Sequence, residues 1–477
     1  MRACASQCFR SLWPLGLLWL LACGNDGPAL GDGELLVRVE VGDNDAAFVG
    51  FRIWDENLEL IADELRPRSE FPRYLRLFPE ASDPRDARFR GARVEVESWS
   101  AELCPRGRAT RAFRYGVSEP RQTLEVPAPD TEFPCRSLFV DPTAPSLGDT
   151  CTEAAPCGSI AEAFEEADET SGRFAVHVAG GRNYDGLNLR NVLIRRGAPV
   201  QNVIRAWPGR GLPAPRLVVD PPPDETAAAV SLCCDFFDDA PASLELDGFE
   251  TSGGNRSGIE INGTRAVTVR HFTIQDGAGG DREISPSGVR VFESPGTVLE
   301  YNRILSIRDR TGTAVLPAVG ILVDGADRQG PTAATLIGNR ILSSESFGIR
   351  VSMPSGSVML TGNAICGSGD SGLRIEGNNR SHAVTADGML IVENGGPGVS
   401  IENWMGTVRV AGSTIVGSSP SLMGTPANEL TGNVLVGVGP SAGNLVDPTD
   451  PLDLDGCLAG RPVSTGEGVC ATFPECP

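Results

Sequence analysis

The chain has 477 residues, a formal charge of −21, and no lysine, so all 41 basic residues are arginine. Such acidity excludes nucleic acid as a partner, because nucleic acids attract proteins through phosphate neutralisation. The missing lysine excludes any lyase mechanism that relies on a lysine base.

Met1 to Arg10 carries Arg2 and Arg10 and no acid, and an apolar run follows from Leu12 to Ala22. Spanning a bilayer takes roughly 20 apolar residues, so this shorter run reads as a secretory signal peptide over residues 1–22. Leu20-Leu21-Ala22-Cys23 resembles a bacterial lipobox, which implies that Cys23 is acylated and becomes the new N-terminus. Ordinary secretion is the alternative. A polar tether, residues 23–33, comes next, and lipid chains there would hold the protein at the cell envelope, in an outer membrane, without a transmembrane span. Removing residues 1–22 deletes two arginines and no acids, which takes the charge from −21 to −23.

Residues 34–130 alternate apolar and polar side chains in short runs. Examples are Leu35, Val37, Val39 and Val41, then Val94 and Val96 between Arg93, Glu95 and Glu97, then Leu124 and Val126. Turn-rich gaps separate the runs, so a small antiparallel β-sandwich is expected, acting as a spacer above the membrane. Asp43-Asn44-Asp45 has the start of a calcium loop but lacks the later glycine and glutamate, and reads as a hairpin turn.

From residue 136 to 456 the texture changes. Ser159 and Glu162 fit a capping box, with Ile160, Ala163, Phe164 and Ala167 on one face of a short helix that would cover the end of a stack. Between residues 257 and 402 the pattern Gly-φ-x-φ, with φ aliphatic, occurs six times, beginning at Gly258, Gly288, Gly320, Gly348, Gly372 and Gly398. Each is a short alternating strand with a glycine that lets the backbone turn into it, and a strand recurring at this period marks a solenoid. Second and third apolar patches complete each coil. Asn302, Asn339 and Asn363 introduce third strands and point inward, where stacked amides can bond one another, and Met389 breaks that ladder. Asn433 looks like a further member.

This pattern resembles the right-handed parallel β-helix of the pectin-lyase-like superfamily. The resemblance includes Leu138–Pro142, Val176–Gly181 with Tyr184, Asn202–Gly209 and the closing Leu445–Pro448. It implies an all-β chain with three-strand coils, about nine or ten in number, and it is silent on activity because this fold hosts lyases, hydrolases, epimerases and inert surface proteins. Residues 457–477 form a cysteine-bearing tail.

Ten cysteines follow Cys23, an even number that favours disulfides in an exported chain. Cys151 with Cys157 is the first candidate pair, then Cys104 with Cys135 and two of the three C-terminal cysteines. His177, His271 and His382 lie in no Gly-His-Gly context and have no metal-ligand spacing, so neither a metal nor a cofactor is expected. Asp235, Asp238 and Asp239 read as a solvated loop.

The candidate binding face is the outside of the Gly-φ-x-φ sheet. Alternation sends Glu260, Arg290, Leu322, Arg350, Arg374 and Ser400 outward in one column, and Asn262, Phe292, Asp324, Ser352, Glu376 and Glu402 in the next. Two insertions, residues 275–287 and 306–319, would form a wall beside it with Asp281, Arg282, Glu283, Arg308, Asp309 and Arg310. Guanidinium groups so spaced suit carboxylates of an acidic polysaccharide. The competing reading is a solvated surface whose acids neutralise the arginines. The expected function is a monomeric, non-catalytic surface protein that binds envelope or extracellular polysaccharide. The alternative is a polysaccharide lyase or related carbohydrate-active enzyme.

Overall fold

The structure, a computed structural model, describes residue 30 and residues 34–447, except 56, 78–90, 116–117, 130–134, 144–149, 169–172, 191–200, 211, 220–226, 234–242, 254–255, 276–284, 310–315, 326–331, 378–381, 393, 417–420, 424–427, 432–433 and 437–444. The expectations for Cys23, for Asp235, Asp238 and Asp239, for Asn433 and for the 457–477 tail therefore lie outside the described residues.

Seven strands build the first unit: β1 (Leu35–Val41), β2 (Phe48–Asp55), β3 (Leu60–Pro67), β4 (Arg73–Leu77), β5 (Gly91–Trp99), β6 (Pro105–Arg114) and β7 (Arg121–Val126). One sheet has the order β4-β1-β7 and the other β3-β2-β5-β6. Period-two alternation sends Leu35, Val37 and Val39 into a shared core with Phe51, Ile53, Val94, Val96 and Leu124. The unit is the expected sandwich, with one departure: β1 pairs with β7 in parallel, so the sandwich is not wholly antiparallel. Asp43 lies in a turn, but not in the expected hairpin, because β1 and β2 belong to different sheets and the turn carries the chain from one to the other. Its carboxylate accepts hydrogen bonds from Asp45 N and Ser98 Oγ and pairs with Arg106.

The second unit is a parallel β-helix with sheets of nine, eleven and eleven strands among the described residues. We call the nine-stranded Gly-φ-x-φ sheet the first, the sheet that starts at Cys135–Val140 the second, and the remaining one the third. Ile259, Ile261, Val289, Val291, Ile349, Val351, Leu373 and Ile375 all point inward and are fully buried, as the alternation requires. Leu445–Asp447 pairs with Val434–Val436 as the last strand of the third sheet.

The repeated glycines have a different cause from the one expected. At Gly258, Gly288, Gly320, Gly348 and Gly372 a Cβ would lie 2.2–2.6 Å from the Cγ2 of Ile274, Ile304, Ile341, Ile365 and Ile391 respectively. Each glycine sits where the chain enters the first sheet over an isoleucine of the third. Close approach selects glycine there; none of the five has a positive φ. A column of left-handed residues runs up the corner between the second and third sheets, at His271, Tyr301, Gly338, Gly362, Gly388 and Gly412, and others, such as Ser306, Ser343 and Gly367, follow third-sheet strands.

The asparagine ladder forms. Asn302 Nδ2 donates to Asn339 Oδ1 at 2.9 Å and Asn339 Nδ2 to Asn363 Oδ1 at 2.9 Å, and all three side chains are fully buried. Each amide also donates to a backbone carbonyl, so no polar group is left bare at a cost of about 1–3 kcal/mol. The amide ladder stops at Met389, and Ser413 then accepts from Met389 N at 3.1 Å. At the other end α1 (Ile160–Asp168) caps the stack. Ser159 Oγ accepts from Glu162 N, Glu162 Oε2 accepts from Ser159 N, and Ile160, Ala163, Phe164 and Ala167 join the solenoid core.

The two units are locked side by side. The outward face of β2, β5 and β6 lies on the second sheet, so Arg52, Glu95 and Glu97 are buried instead of solvated. Four guanidinium groups (Arg52, Arg108, Arg205, Arg270) face four carboxylates (Glu95, Glu97, Glu245, Asp247) across this contact. Leu103, Phe139, Ala179 and Trp207 add an apolar cluster. Both expected disulfides are present. Cys104–Cys135 ties the β5–β6 turn to the first solenoid strand, and Cys151–Cys157 closes the loop before α1. The sandwich thus flanks the early coils.

Candidate functional site

Parallel register fixes the outer face of the first sheet. Glu260, Arg290, Leu322, Arg350, Arg374 and Ser400 are successive partners, and so are Asn262, Phe292, Asp324, Ser352, Glu376 and Glu402. Both columns are those expected from alternation. A diagonal rule connects them: each arginine reaches the acid two residues further along on the next coil. Arg374 Nη2 donates to Glu402 Oε2 at 2.9 Å, Arg350 Nε to Glu376 Oε1 at 2.8 Å, and Arg290 lies 3.7 Å from Asp324. Arg374 Nε also donates to the second oxygen of Glu376 at 2.7 Å, so that carboxylate bridges two guanidinium groups.

This is how like charges in register, about 4.8 Å apart along a stack, are accommodated: Arg350 and Arg374 share Glu376. Burial would raise the Glu376 carboxyl, but the hydrogen bond and charge of Arg350, with those of Arg374, hold it below its ordinary value. At Asp324 burial wins and the carboxyl is raised, with Arg290 and Arg350 offsetting it only in part. Phe347 lies beneath Arg374, with the guanidinium carbon 4.8 Å from its ring centroid. Val319, Leu322 and Phe347 form a small buried apolar cluster.

Of the expected wall, Arg282 and Arg310, together with Asp281 and Glu283, lie outside the described residues. Arg308 is exposed, after the third-sheet strand Arg303–Leu305, and Asp309 N donates to Glu345 Oε2. Ser285, at the end of the first insertion, lies 3.4 Å from Arg350 Nη1. Ser285 and Phe347 were missed from sequence. The signal for Phe347 was its place just ahead of Gly348, where the first two copies of the repeat carry serine (Ser257, Ser287).

The second chemical cluster sits at the contact between the units. His271 Nδ1 lies 2.9 Å from Asp247 Oδ1, and Asp247 also receives Arg52 Nη1 at 3.0 Å. Burial favours the neutral carboxyl, yet Arg52 and Arg205 hold Asp247 well below the carboxylate range, and Arg270 and Arg52 do the same for Glu95. Burial, reinforced by Arg270, lowers His271 to about 4 despite Asp247 and Glu95 beside it. His271 is therefore neutral near pH 7, with its Nδ1–H donated to the ionised Asp247. His177, lowered to about 3 by burial and Arg205, bonds Leu103 O through Nε2. Donor atoms of Glu95, Asp247 and His271 come within 4.8 Å of one another. The carboxylate oxygens a cation would need are already held by Arg52 and Arg270, so this triad is part of an ion-pair lattice. It was invisible in sequence because its members come from strands up to 176 residues apart.

A family model described as a right-handed β-helix region matches residues 257–435. No curated protein matches the chain in sequence. Solved structures similar to this chain include the following three. The A-module of mannuronan C-5 epimerase AlgE6 from Azotobacter vinelandii has 16% identity and a TM-score of 0.36, over 60% of this chain and 93% of that one. Pectate lyase Pel9A has 13% identity and a TM-score of 0.39, over 72% and 88%. A rhamnogalacturonan lyase has 12% and 0.37, over 62% and 87%. At these scores the likeness carries nothing about chemistry.

Proposed function

We propose that this chain is an exported surface protein, acylated at Cys23, whose right-handed β-helix holds a polysaccharide against the outer face of the first sheet without cleaving it. The observation that supports this reading is the diagonal row Arg290–Asp324, Arg350–Glu376 and Arg374–Glu402. Sugar hydroxyls need donors and acceptors together, and this row supplies both, with Leu322 standing between Arg290 and Arg350. Its side chains are held by one another, so little ordering cost remains on binding. Phe347 gives the floor an apolar element. The guanidinium groups are already satisfied by carboxylates, so charge alone gives an acidic polymer no advantage over a neutral one.

The test is affinity electrophoresis of the ectodomain through gels holding neutral glucans or uronate polymers. A parent protein retarded by at least one polymer, and an Arg290→Ala, Arg350→Ala, Arg374→Ala variant that runs freely, is the expected result. No retardation of the parent, or equal retardation of both, sinks the site. The raised carboxyl of Asp324 favours a second reading, a carbohydrate-active enzyme with Asp324 as its acid. Ultraviolet-absorbing unsaturated product from a uronate polymer would put a lyase first. For the anchor, mass spectrometry of the mature N-terminus should find lipid on Cys23. A Cys23→Ser variant that is processed normally and stays membrane-bound would refute it.

A further inference from the structure

Cys366 ends the third-sheet strand Ala364–Cys366, directly after the core residue Ile365, so alternation turns its side chain away from the core. It is disulfide-bonded. Cys104–Cys135 and Cys151–Cys157 account for four other described cysteines. Cys4 and Cys8 leave with residues 1–22, and Cys23 carries the lipid in the reading above. The partners that remain for Cys366 are Cys233, Cys234 and the tail cysteines Cys457, Cys470 and Cys476.

Parallel register removes the first two. Asn262, Phe292, Asp324 and Ser352 follow Cys233 coil by coil, and Ser352 lies on the same coil as Cys366. Four steps of about 4.8 Å put Cys233 about 19 Å from Cys366 along the stack. A disulfide needs its two Cα atoms within about 7 Å. Cys234 follows Cys233 directly, and one residue spans about 3.8 Å, so it is out of range as well. Parity points the same way. Cys233, Cys234 and Cys366 are an odd set, and so are the three tail cysteines, so pairing all six takes a bond between the sets. The tail also has the reach. Val392, Val416, Val436 and Asp447 succeed Cys366 in the third sheet, again four steps or about 19 Å. Cys457 lies 10 residues beyond Asp447, and that length of extended chain spans about 33 Å.

We propose that Cys366 is bonded to a cysteine of the 457–477 tail, a clasp that brings the chain end back along the third sheet. Forming the bond takes two protons and two electrons from the two thiols. The disulfide of an oxidoreductase in the export compartment accepts them and becomes a dithiol. A solenoid needs closing at both ends. α1 covers the first coil, and the clasp ties the last strands, through Leu445–Asp447, to a coil four steps back. It closes a loop that runs at least from residue 366 to residue 457, and so large a loop takes freedom chiefly from the unfolded chain. The polysaccharide face contributes no residue to it.

The experiment is a peptide map of the mature protein, alkylated in denaturant without reductant and cut with trypsin. With no lysine in the chain, trypsin cuts only after arginine. It frees Cys366 in residues 351–374 and Cys233 with Cys234 in residues 217–256. All three tail cysteines come in residues 410–477, because Pro462 protects Arg461. The expected species joins 351–374 to 410–477 and separates on reduction. Alkylated Cys366, or 351–374 joined to 217–256, overturns the proposal. A link from Cys366 to Cys23 overturns it together with the lipid anchor, whereas lipid on Cys23 beside an alkylated Cys366 overturns the clasp alone. A Cys366→Ser variant tests what the bond does. One further tail thiol should take up the alkylating agent, and melting should fall by about 5 °C or more. A variant that melts with the parent would remove the clasp as a structural device.

Discussion

Trp54 of the sandwich and His271 of the solenoid lie ring on ring, with centroids 4.0 Å apart and planes 18° from parallel. His271 occupies a left-handed corner (φ 53°), and Tyr301 occupies the same corner one coil on (φ 54°). Later coils place glycine there, at Gly338, Gly362, Gly388 and Gly412. A residue with a Cβ in that conformation costs about 1–2 kcal/mol. The two coils beneath the sandwich accept this because their rings are used: Tyr301 continues the stack at 5.9 Å and carries the Arg93 guanidinium 3.1 Å from its ring centroid.

It follows that the sandwich and the early coils unfold together. Trp54→Ala, at a residue only 2% exposed, should cost about 3–5 kcal/mol. Denaturant titration should show one transition for the parent, by near-ultraviolet and far-ultraviolet dichroism alike. An early transition assigned to the sandwich alone in the parent would mean that the contact is weak.

The same contact makes the protein acid-sensitive. His271 and His177 are lowered to about 4 and about 3 from an ordinary 6.5, so the unfolded chain binds protons on both before the folded one does. The sign follows: stability is complete above pH 6.5 and falls as pH drops through the window from 6.5 toward 4 and 3. Between pH 7.5 and 5 each histidine should remove about 2 kcal/mol. The depressed carboxyls of Glu95, Glu245 and Asp247 add a further loss below their unfolded values of about 4. Melting temperature against pH, for the parent and for His177→Gln with His271→Asn, measures this. A parent whose melting point is flat from pH 7.5 to 5 would contradict it.

Much of the solenoid was legible because its signals are local. Alternation around Ile349 and Ile375, the asparagines at Asn302, Asn339 and Asn363, and the capping pair Ser159 and Glu162 each act within a few residues. The outward columns followed from the same period, and with them the neutralisation of Arg350 and Arg374 by Glu376. What stayed hidden depends on which surfaces meet. Glu95 and Glu97 alternate like solvent-facing residues and become buried only because Arg205 and Arg270 arrive from far along the chain. His271 read as an isolated histidine for the same reason. The glycines were found, but their cause was not, because the clash with Ile365 or Ile391 lies across the coil and not in the turn.

That cause predicts a graded cost for alanine. At Gly348 a Cβ would stand 2.2 Å from Ile365 Cγ2 and 2.7 Å from the Gly372 carbonyl oxygen, and the oxygen belongs to backbone that cannot rotate away. Gly348→Ala should therefore destabilise by about 1–3 kcal/mol, as overpacking does. Adding Ile365→Val shortens the neighbour without removing its Cγ2 branch, so it should rescue little. Adding Ile365→Ala should restore part of the loss, despite its own cavity. Denaturant midpoints for the single and double variants decide between close approach and backbone conformation. A Gly348→Ala protein as stable as the parent would remove the steric account.

Adjacent residues on one strand give the sharpest contrast. Ile349 is fully buried and pairs with Ile321 and Leu373 in the coils on either side, whereas Arg350, its neighbour, projects outward with 19% of its side chain exposed. Ile349→Asp places a carboxylate among aliphatic chains with no cation in reach. It also forfeits about 1.5–3 kcal/mol of apolar burial. Because coils stack through shared strands, that loss spreads to both neighbours, and several coils should open together. Arg350→Ala breaks a largely buried pair with Glu376, yet Glu376 keeps Arg374 at 2.7 Å, so no carboxylate is stranded. Its cost should stay near ~1 kcal/mol. Hydrogen exchange read by mass spectrometry distinguishes the two. Ile349→Asp should deprotect peptides across residues 319–376, and Arg350→Ala should leave them protected. Equal protection in both would mean that the inward and outward faces of this strand are exchanged.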